Sequence, residues 1–435
     1  MKFINYLYKH IFNGTQLKNL NKLKKIGILE KDNIMKYQFE KLRKTLQQSK
    51  SHVPYYADKI RFDIANFDYA DFCTIPLMDK SILADHIESL QVPNYHDQNE
   101  VFKNTSGGST GRSSEFFQTK YQNKIGQSNY LFALTLNQVD IYQKSIDLWG
   151  AERDMYAGGV SQNLKLKLQN KLLLNTYVLN HDIIKNYINI INEYKPHFIK
   201  SYVHSIYEIA KYIIKNDIKI NCNPIIHTST GPLYPEIKSV ISRAFNNTYV
   251  YSFYGSRELA AIATNIPNHI GMFTLYDNVF LEIINENGNP VTKGESGEIV
   301  LTTLNNDYMP LVRYKIGDRA TKLDDNPFGC LHISDVLGRT LGVLQRKDGT
   351  SIDGQYFVAL FFNVKGIDNF QIVQESIEKI IINIVKGREF EEESLLNIKE
   401  KIKQNLPDIQ EICIQYLSQI ELTSTGKIMY VLSKI

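Results

Sequence analysis

Helix-forming and strand-forming segments alternate between residues 182 and 253, and this alternation restricts the chain to few folds. Isoleucines at helical spacing precede Pro196, and Pro235 stands where a helix would start. The predicted elements are, in order, a helix over residues 182–194, a strand over 198–203, a helix near 205–214, a strand over 225–228, a helix from Pro235 and a strand over 248–253. Strands that alternate with helices predict an α/β fold with a mostly parallel, doubly wound sheet. Ligands of such sheets bind beyond the carboxyl ends of the strands.

The pattern changes after residue 279. Short β-rich segments separated by turn residues predict a β-rich subdomain, and the rest of the chain predicts a small α+β domain. The predicted strands cover residues 279–284, 297–303, 309–314, 370–374, 379–385, 411–422 and 429–432, with a helix over 391–405. We expect the two parts to join near Gly338, which gives a large N-terminal domain over residues 1–338 and a small C-terminal domain over residues 339–435.

The composition is that of an ordinary globular protein. Hydrophobic residues make up 43% of the chain, and a net charge of +4 is small for 435 residues, so nucleic-acid binding is not indicated. The four cysteines form no Cys-x-x-Cys pair, which argues against a zinc site or a disulfide framework and favours a reducing compartment. Because no stretch approaches the roughly 20 apolar residues that span a bilayer, we expect a cytoplasmic protein.

The N-terminus is basic. Six lysines and no acidic residue lie between Lys2 and Lys25, interleaved with aromatic residues. A basic amphipathic helix held weakly at anionic lipid on the inner membrane face is one interpretation. We favour a helix packed on the domain with its lysines in solvent, because Asn13-Gly14 interrupts the stretch early.

A glycine-rich loop from Asn104 to Arg112 reads Asn-Thr-Ser-Gly-Gly-Ser-Thr-Gly-Arg. Glycines let backbone amides approach an anion, Ser and Thr add neutral donors, and Arg112 adds a charge whose geometry matches phosphate. A flexible linker would have a similar composition. The loop is not a Walker-type P-loop, because Ser106 and Arg112 stand where that motif needs glycine and lysine.

Polar and aromatic residues follow each predicted strand of the sheet. A nucleotide requires amides and hydroxyls around its phosphates, an aromatic face for its base, carboxylates for ribose and Mg²⁺, and a cation. The segments that offer these groups are His204-Ser205, Ser229 to Leu233, Tyr254 to Glu258, Arg313 to Asp318, Gly338-Arg339 and Ser424 to Lys427.

In this order the motifs resemble those of the adenylate-forming enzymes, the acyl-CoA synthetases and their relatives. The phenylacetate–CoA ligase-like branch, which includes proteins from capsule and surface-polysaccharide gene clusters, is the most similar, and the resemblance covers nearly the whole chain. The matching segments are Thr105 to Arg112 (phosphate loop), Ile75 to Lys80 (a segment preceding it), Tyr254 to Glu258 (Tyr-Gly-x-x-Glu with one extra residue), Arg313 to Asp318 (Tyr-Arg-Thr-Gly-Asp region), Gly338-Arg339 (hinge) and Gly426-Lys427 (C-terminal lysine motif).

The resemblance implies a two-step ligase reaction. A carboxylate would attack the α-phosphorus of Mg-ATP to give an acyl-adenylate and pyrophosphate, and the acyl group would then pass to coenzyme A. Lys427 would bridge the attacking carboxylate and the α-phosphate, Glu258 would hold Mg²⁺, and Asp318 would take the ribose hydroxyls. The other implied ATP contacts are Thr105, Ser106, Gly107, Gly108, Ser109, Thr110, Gly111 and Arg112 in the loop, Ser229, Thr230, Gly231 and Pro232 on one face of adenine, Tyr254 with Gly255 on the other, and Arg339 at ribose or phosphate.

The identity of the acid is not readable from the chain. Candidates to line its pocket lie near the predicted rim of the sheet, although core positions suit them equally. They are Tyr202, His204, His227 and Phe253.

The sequence departs from the family pattern at the hinge. Leu341, followed by Gly342, stands where the family has an acidic pivot, which puts the thioester-forming rotation of the small domain in doubt. Cys330 stands alone where some relatives carry a metal-binding cysteine cluster, so no zinc is expected.

These departures leave the acyl acceptor open. The alternative to coenzyme A is an amine, such as an amino sugar or an amino acid in capsule or O-antigen polysaccharide assembly. A third hypothesis is a catalytically weakened scaffold protein at a membrane assembly, and the presence of Glu258, Asp318 and Lys427 argues against it. Relatives in this branch often pair, so a homodimer also stays open.

Overall fold

The computed structural model describes residues 2–435 with interruptions. Outside the described residues lie 1, 3–4, 8–9, 11–12, 29, 106–114, 150–159, 177–178, 180, 337–342, 348–350, 354–356, 358–359, 362–363, 365, 388 and 422–428. The α-helices are α1 (Gly14–Ile26), α2 (Lys31–His52), α3 (Tyr69–Cys73), α4 (Lys80–Asp85), α5 (Lys120–Leu136), α6 (Val160–Leu168), α7 (His181–Tyr194), α8 (Val203–Lys215), α9 (Pro235–Ala244) and α10 (Ser394–Asn405), with 3₁₀ turns at Pro54–Tyr56 and Gln98–Glu100.

The strands form one large sheet and several small ones. They are β1 (Val101–Thr105), β2 (Glu115–Thr119), β3 (Ser145–Trp149), β4 (Lys171–Asn175), β5 (Phe198–Tyr202), β6 (Ile225–Ser229), β7 (Val250–Ser256), β8 (Ala260–Thr264), β9 (Met272–Thr274), β10 (Val279–Ile284), β11 (Ser296–Thr303), β12 (Tyr314–Thr321), β13 (His332–Ile333), β14 (Val343–Gln345), β15 (Ser351–Asp353), β16 (Ile367–Ser376), β17 (Lys379–Lys386), β18 (Glu411–Tyr416) and β19 (Val431–Ser433).

The main sheet has eight strands in the order β13-β9-β8-β7-β6-β5-β3-β4. β4, β3, β5, β6 and β7 run parallel, and β8, β9 and β13 join antiparallel at one edge. The predicted α/β, mostly parallel, doubly wound architecture is confirmed. Predicted strand 248–253 is too short at its carboxyl end, because β7 continues to Ser256 by pairing with Ala260 across a tight connection to β8.

The two faces of the main sheet are covered by different helices. On one face Ile146, Ile199 and Ile226 belong to a cluster with the apolar sides of α7, α8 and α9. On the other face Phe198 and Tyr251 pack with residues of α5. Since side chains alternate along a strand, each parallel strand contributes to both layers.

β10, β11 and β12 form an antiparallel sheet, which is the predicted β-rich subdomain. The predicted strand over residues 309–314 is wrong, because β12 begins only at Tyr314. Arg313 has a left-handed φ of +53°, which breaks the extended backbone there. Its guanidinium is buried against Glu282, with Nε to Oε2 at 3.2 Å, and Nη1 donates to Cys73 O and Ile75 O. Burial of this arginine therefore takes precedence over strand formation.

The C-terminal residues form a four-stranded sheet in the order β18-β17-β16-β19, with α10 packed through Leu395, Ile398 and Ile402. This matches the predicted α+β pattern, except that the strand predicted over 411–422 ends at Tyr416, where its ladder with β17 ends. Two contacts join this sheet to the rest of the chain. Lys211 Nζ on α8 donates to Asp368 O at 3.1 Å. Tyr430, directly before β19, is buried near Tyr234, directly before α9.

The described N-terminal residues pack on the main body. Asn5 is fully buried and donates to Tyr142 O and Gln169 O at 3.1 and 3.0 Å. Leu20 and Leu23 of α1 belong to a cluster with Phe132 of α5. Within the described part of the chain, no helix has the length and apolar character needed to cross a membrane.

Candidate functional site

β1 and β2 hold the two ends of the glycine-rich loop together. They pair antiparallel from Val101–Thr119 to Thr105–Glu115, so the loop leaves and returns at neighbouring positions. Arg257 Nη1 donates to Thr105 O at 3.4 Å. The start of the loop therefore lies beside the segment from Tyr254 to Glu258. Ser106 to Arg112 themselves lie outside the described residues.

Gln118 on β2 joins these two segments, although no sequence motif indicates this role. It is buried, with Nε2 donating to Arg257 O and to Glu258 O at 3.1 Å each. Its Oε1 accepts a hydrogen bond from Asn104 Nδ2 at 3.2 Å. A glutamine on a short strand carries no recognisable motif, and only the tertiary structure shows that it holds both segments.

Glu258 lies at this site with most of its side chain buried. The residue is 5% exposed, and its carboxylate makes no hydrogen bond or ion pair with the described residues. Carboxylate oxygens are the ligands that Mg²⁺ prefers, so this group fits the Mg²⁺ that Mg-ATP would bring.

Tyr254 and Asp318 meet across two sheets. The Tyr254 hydroxyl on β7 donates to Asp318 Oδ2 on β12 at 2.8 Å, although the residues are 64 positions apart. Gly317 precedes Asp318 with a left-handed φ of +86°, which other residues rarely adopt. The aromatic group and the carboxylate that the sequence assigned to one nucleotide are thus neighbours.

The backbone approaches closely at Gly255. A Cβ added there would lie 2.5 Å from Ala260 O, so only glycine fits between Tyr254 and the turn to β8. The side chain of Glu258 follows within this turn, since β8 begins at Ala260.

The loop after β6 has a strained conformation. Thr230 has a φ of +69°, which is an outlier for a β-branched residue. Its hydroxyl donates to Ser229 O at 2.6 Å. Gly231 lies against Val203, the first residue of α8. Ser229 to Pro232 therefore stand at the carboxyl ends of β5 and β6, as the sequence predicts.

Three of the four candidate pocket residues share one face of the main sheet. Tyr202, His227 and Phe253 lie at alternate positions of neighbouring strands, and Tyr130 of α5 faces the last two with ring centroids 5.6 and 5.2 Å away. His227 is fully buried, and neither ring nitrogen has a hydrogen-bond partner among the described residues. Burial, with Lys200 nearby, holds the pKa of His227 well below its usual range, so the ring is neutral.

His204 is placed differently. It lies in the first turn of α8, with Nδ1 3.7 Å from Glu208 of the same helix. Burial lowers the pKa of His204, and Glu208 opposes this. Its described contact is thus with its own helix, and it is absent from the aromatic group around His227.

Sequence comparisons match the C-terminal part of the chain to a family model and larger parts of it to named relatives. Residues 344–434 match the family model of the CapK C-terminal domain. The chain is 24% identical to protein CapK of Staphylococcus aureus over 355 residues, which covers 78% of this chain and 75% of that protein. It is 22% identical to indoleacetate–lysine synthetase of Pseudomonas savastanoi over 245 residues, which covers 53% of this chain and 55% of that protein.

A comparison with solved structures decides the fold. The crystal structure of 2-hydroxyisobutyryl-CoA ligase in the postadenylation state, in complex with R3-HIB-AMP, matches with a TM-score of 0.72 at 14% identity, covering 94% of this chain and 92% of that chain. The anthranilate CoA ligase AuaEII in complex with anthranoyl-AMP matches with a TM-score of 0.56 at 13% identity, over 75% of this chain and 64% of that one. The chain has the adenylate-forming ligase fold.

Four of the nucleotide contacts predicted from the sequence lie in neighbouring segments of the described chain. Thr105, Tyr254, Glu258 and Asp318 are connected through the contacts of Gln118, Arg257 and the Tyr254 hydroxyl. The remaining predicted ligands, Arg339 and Lys427, lie outside the described residues, as does Leu341 at the hinge. Their roles stay predictions.

Proposed function

We propose that this protein activates a carboxylic acid with Mg-ATP to an acyl-adenylate. A carboxylate oxygen attacks the α-phosphorus, a new P–O bond forms, and the bond to the bridging oxygen of the β-phosphate breaks, so that pyrophosphate leaves. The hydrogen bond between Tyr254 and Asp318 carries the proposal, because it joins the proposed adenine face to the proposed ribose carboxylate.

Each proposed ligand of ATP has a place in this scheme. The glycine-rich loop binds the leaving phosphates, with Ser106 to Gly111 offering amides and hydroxyls and Arg112 a charge. Asp318 accepts from the ribose hydroxyls, and Arg339 contacts ribose or phosphate. Glu258 would hold Mg²⁺, which neutralises charge on the phosphate oxygens.

Lys427 is the proposed catalytic cation. It would approach both the attacking carboxylate and the α-phosphate and stabilise the charge that grows between them. We further propose that residues 339–435 act as a small mobile domain that delivers this lysine, joined to an adenylation domain over residues 1–338. Closure of such a domain excludes water and protects a labile acyl-adenylate.

We favour an amine as the acceptor in the second step. The name of one relative, indoleacetate–lysine synthetase, describes the joining of an acid to an amino acid, and Leu341 replaces the polar pivot of thioester-forming relatives. Attack by the amine nitrogen on the acyl carbon forms an amide, releases AMP and loses one proton. Coenzyme A is the second candidate, because a 2-hydroxyisobutyryl-CoA ligase solved in complex with CoA matches over 94% of this chain.

Product analysis distinguishes the two acceptors. The protein is incubated with Mg-ATP and a panel of acids, together with coenzyme A, amino acids or amino sugars, and pyrophosphate and products are measured. We expect acid-dependent pyrophosphate release without a thiol, and an amide product only when an amine is present. A thioester product with coenzyme A and no amide would make coenzyme A the acceptor, and no pyrophosphate release with any acid would contradict adenylation.

A further inference from the structure

A row of polar residues crosses a sheet face that would ordinarily be apolar. Asp147, Lys200, His227 and Tyr251 are successive cross-strand partners on β3, β5, β6 and β7, and we call them the polar row. On the opposite face the corresponding positions include Ile146, Ile199 and Ile226, which is the expected pattern for a buried parallel sheet. Departures from the usual apolar pattern of a buried sheet tend to occur at functional sites.

The polar row contains buried side-chain atoms that have no hydrogen-bond partner among the described residues. Asp147 Oδ1, both ring nitrogens of His227 and the Tyr251 hydroxyl make up four of the eleven such side-chain atoms in the described chain. His227 and Tyr251 are fully buried, so water at the surface does not reach them. Leaving a buried polar group unpaired costs about 1–3 kcal/mol, and such groups call for a partner.

The chemical character of these atoms defines what the partner must offer. Asp147 Oδ2 already accepts a hydrogen bond from Lys171 Nζ at 3.0 Å. Oδ1 of the same carboxylate is an acceptor that has no donor among the described residues. Lys200 contributes an ammonium donor, and the neutral His227 ring has one donor and one acceptor. A hydroxyl group both donates and accepts, whereas a second carboxylate would stand beside that of Asp147.

Aromatic rings lie between the polar row and the proposed nucleotide site. Lys200 Nζ lies 4.2 Å from the ring centroid of Trp149 and 5.2 Å from that of Tyr130. Trp149 and Tyr202, two residues nearer the carboxyl ends of their strands, have centroids 4.2 Å apart. Phe253 occupies the corresponding place on β7, directly before Tyr254.

The depth of the polar row limits the length of the ligand. Two residues along a strand span about 6.6 Å. Ser229 and Phe253 lie two residues beyond His227 and Tyr251, so the polar row is about that far from the carboxyl ends of the strands. A benzene ring between a carboxyl group and a hydroxyl group spans a similar length. Flat aromatic walls also favour a planar ligand.

We propose that the polar row recognises a hydroxyl group at the far end of a compact aromatic acid, whose carboxylate is the one adenylated. This inference rests on the proposed function for the identity of the carboxylate's site. Sites built to hydrogen-bond a substrate hydroxyl discriminate strongly against the analogue that lacks it, because their buried polar groups are then left unpaired.

A panel of four probes tests the proposal on the full chain: benzoate, 3-hydroxybenzoate, 4-hydroxybenzoate and isophthalate. We expect at least one hydroxybenzoate to exceed benzoate by about 100-fold or more in kcat/KM for pyrophosphate release, and to bind more tightly by calorimetry. Equal values for benzoate and both hydroxybenzoates overturn the inference, as does a preference for isophthalate. Calorimetry that detects none of the four overturns it too, whereas absent pyrophosphate release with every acid overturns the proposed function instead.

Tyr251 on β7 and Tyr249, the residue directly before that strand, provide a matched pair of variants. The Tyr251 hydroxyl has no partner in the described chain, while that of Tyr249, one step away on the same face, donates to Asn137 Oδ1 at 2.9 Å. Tyr251→Phe should keep or raise the Tm, and should reduce the preference for the hydroxybenzoate at least tenfold. Tyr249→Phe should lower the Tm and leave the preference unchanged. The reverse pattern would show that the Tyr251 hydroxyl is structural and would contradict the proposal.

Two lysines provide a second pair. Lys200→Met removes the ammonium group from the polar row. Lys144→Met removes an ammonium group directly before the amino end of β3, 5.0 Å from the Tyr194 ring centroid. We expect Lys200→Met to weaken hydroxybenzoate binding by about tenfold or more while benzoate is affected little. If both variants retain the wild-type preference, the polar row does not contact the acid.

Discussion

Gln118 illustrates how a residue without catalytic chemistry can hold a nucleotide site together. Its amide satisfies the carbonyls of Arg257 and Glu258 and its oxygen reaches Asn104, so one side chain connects the glycine-rich loop to the proposed Mg²⁺ carboxylate. Because the contacts with Arg257 and Glu258 join residues 139 and 140 positions apart, no local pattern could indicate them.

Gln118→Leu should displace Glu258 without removing it. The carbonyls of Arg257 and Glu258 would lose the hydrogen bonds that Gln118 donates. Loss of a group that holds a metal ligand typically changes metal affinity by about 10- to 100-fold. We expect the Mg²⁺ concentration for half-maximal pyrophosphate release to rise about tenfold. Gln122→Leu is the control, because Gln122 Nε2 is 3.4 Å from Glu258 O and should matter less. A Mg²⁺ dependence like that of the wild type would remove Gln118 from the site.

Glu258→Gln retains the shape of the side chain and removes its charge. Pyrophosphate release should fall about 100-fold or more, as losses of transition-state electrostatics do. ATP binding measured without Mg²⁺ should change little. Glu298→Gln, which removes a partly exposed carboxylate paired with Lys315 at 2.8 Å, should leave both quantities near the wild type. Full activity of the Glu258 variant would mean that Mg²⁺ is held elsewhere.

At the scale of elements, the predicted helices and strands of the main sheet are close to the observed ones. Isoleucine spacing and prolines place α7, β5 and α9 within one residue of their predicted bounds. The segment over 309–314 could not be predicted in this way. Its conformation depends on the burial of Arg313 beside Glu282, which is a tertiary interaction between distant segments.

The Arg313–Glu282 pair positions the strand that carries Asp318. Burial raises the pKa of Glu282, while Arg313 opposes this by stabilising the charged form. Arg313→Met should destabilise the protein by about 3–5 kcal/mol, because an unpaired carboxylate stays buried. A thermal melt measures the loss. The double variant Arg313→Met/Glu282→Leu should regain part of the lost Tm. If Arg313→Met alone has the Tm of the wild type, the ion pair does not contribute to stability.

The N-terminal helices are attached through Asp277. Tyr37, Lys41, Asn19 and Asn129 all donate to its carboxylate. Burial alone would raise the pKa of Asp277, but these partners, Lys41 above all, lower it from 3.8 to about 2. Burial lowers the pKa of Lys41, and Asp277 opposes that shift. We base the acid-stability prediction on Asp277, because four donors hold its charge.

Acid should weaken this attachment within a defined range. Since the folded pKa of Asp277 lies below its unfolded value, its contribution of about 2 kcal/mol is present above pH 4 and is lost as the pH falls towards 2. The Tm difference between wild type and Asp277→Asn should therefore be large at pH 7 and shrink below pH 4. Asp58→Asn, at an exposed pair with Lys59 that solvent screens, should show a much smaller pH dependence of the same sign. A difference that is constant with pH would rule out this role.

At the scale of the whole molecule, the order of motifs along the chain predicted the fold, and the fold explains why that order matters. The strands β1 and β2 contact residues 257–258 through Arg257 and Gln118, and β7 and β12 bring Tyr254 and Asp318 together. The sequence did not reveal the polar row, since Asp147, Lys200, His227 and Tyr251 become neighbours only through parallel strand pairing.

The central claim is that this chain forms an acyl-adenylate in its first step. Isotope exchange between pyrophosphate and ATP measures that step directly, because it needs no acyl acceptor. We predict Mg²⁺-dependent and acid-dependent exchange by the wild type, and a loss of about 100-fold or more in Lys427→Ala with ATP binding nearly intact. Exchange at the wild-type rate in Lys427→Ala would contradict the role of that lysine. No exchange by the wild type with any acid would contradict the account as a whole.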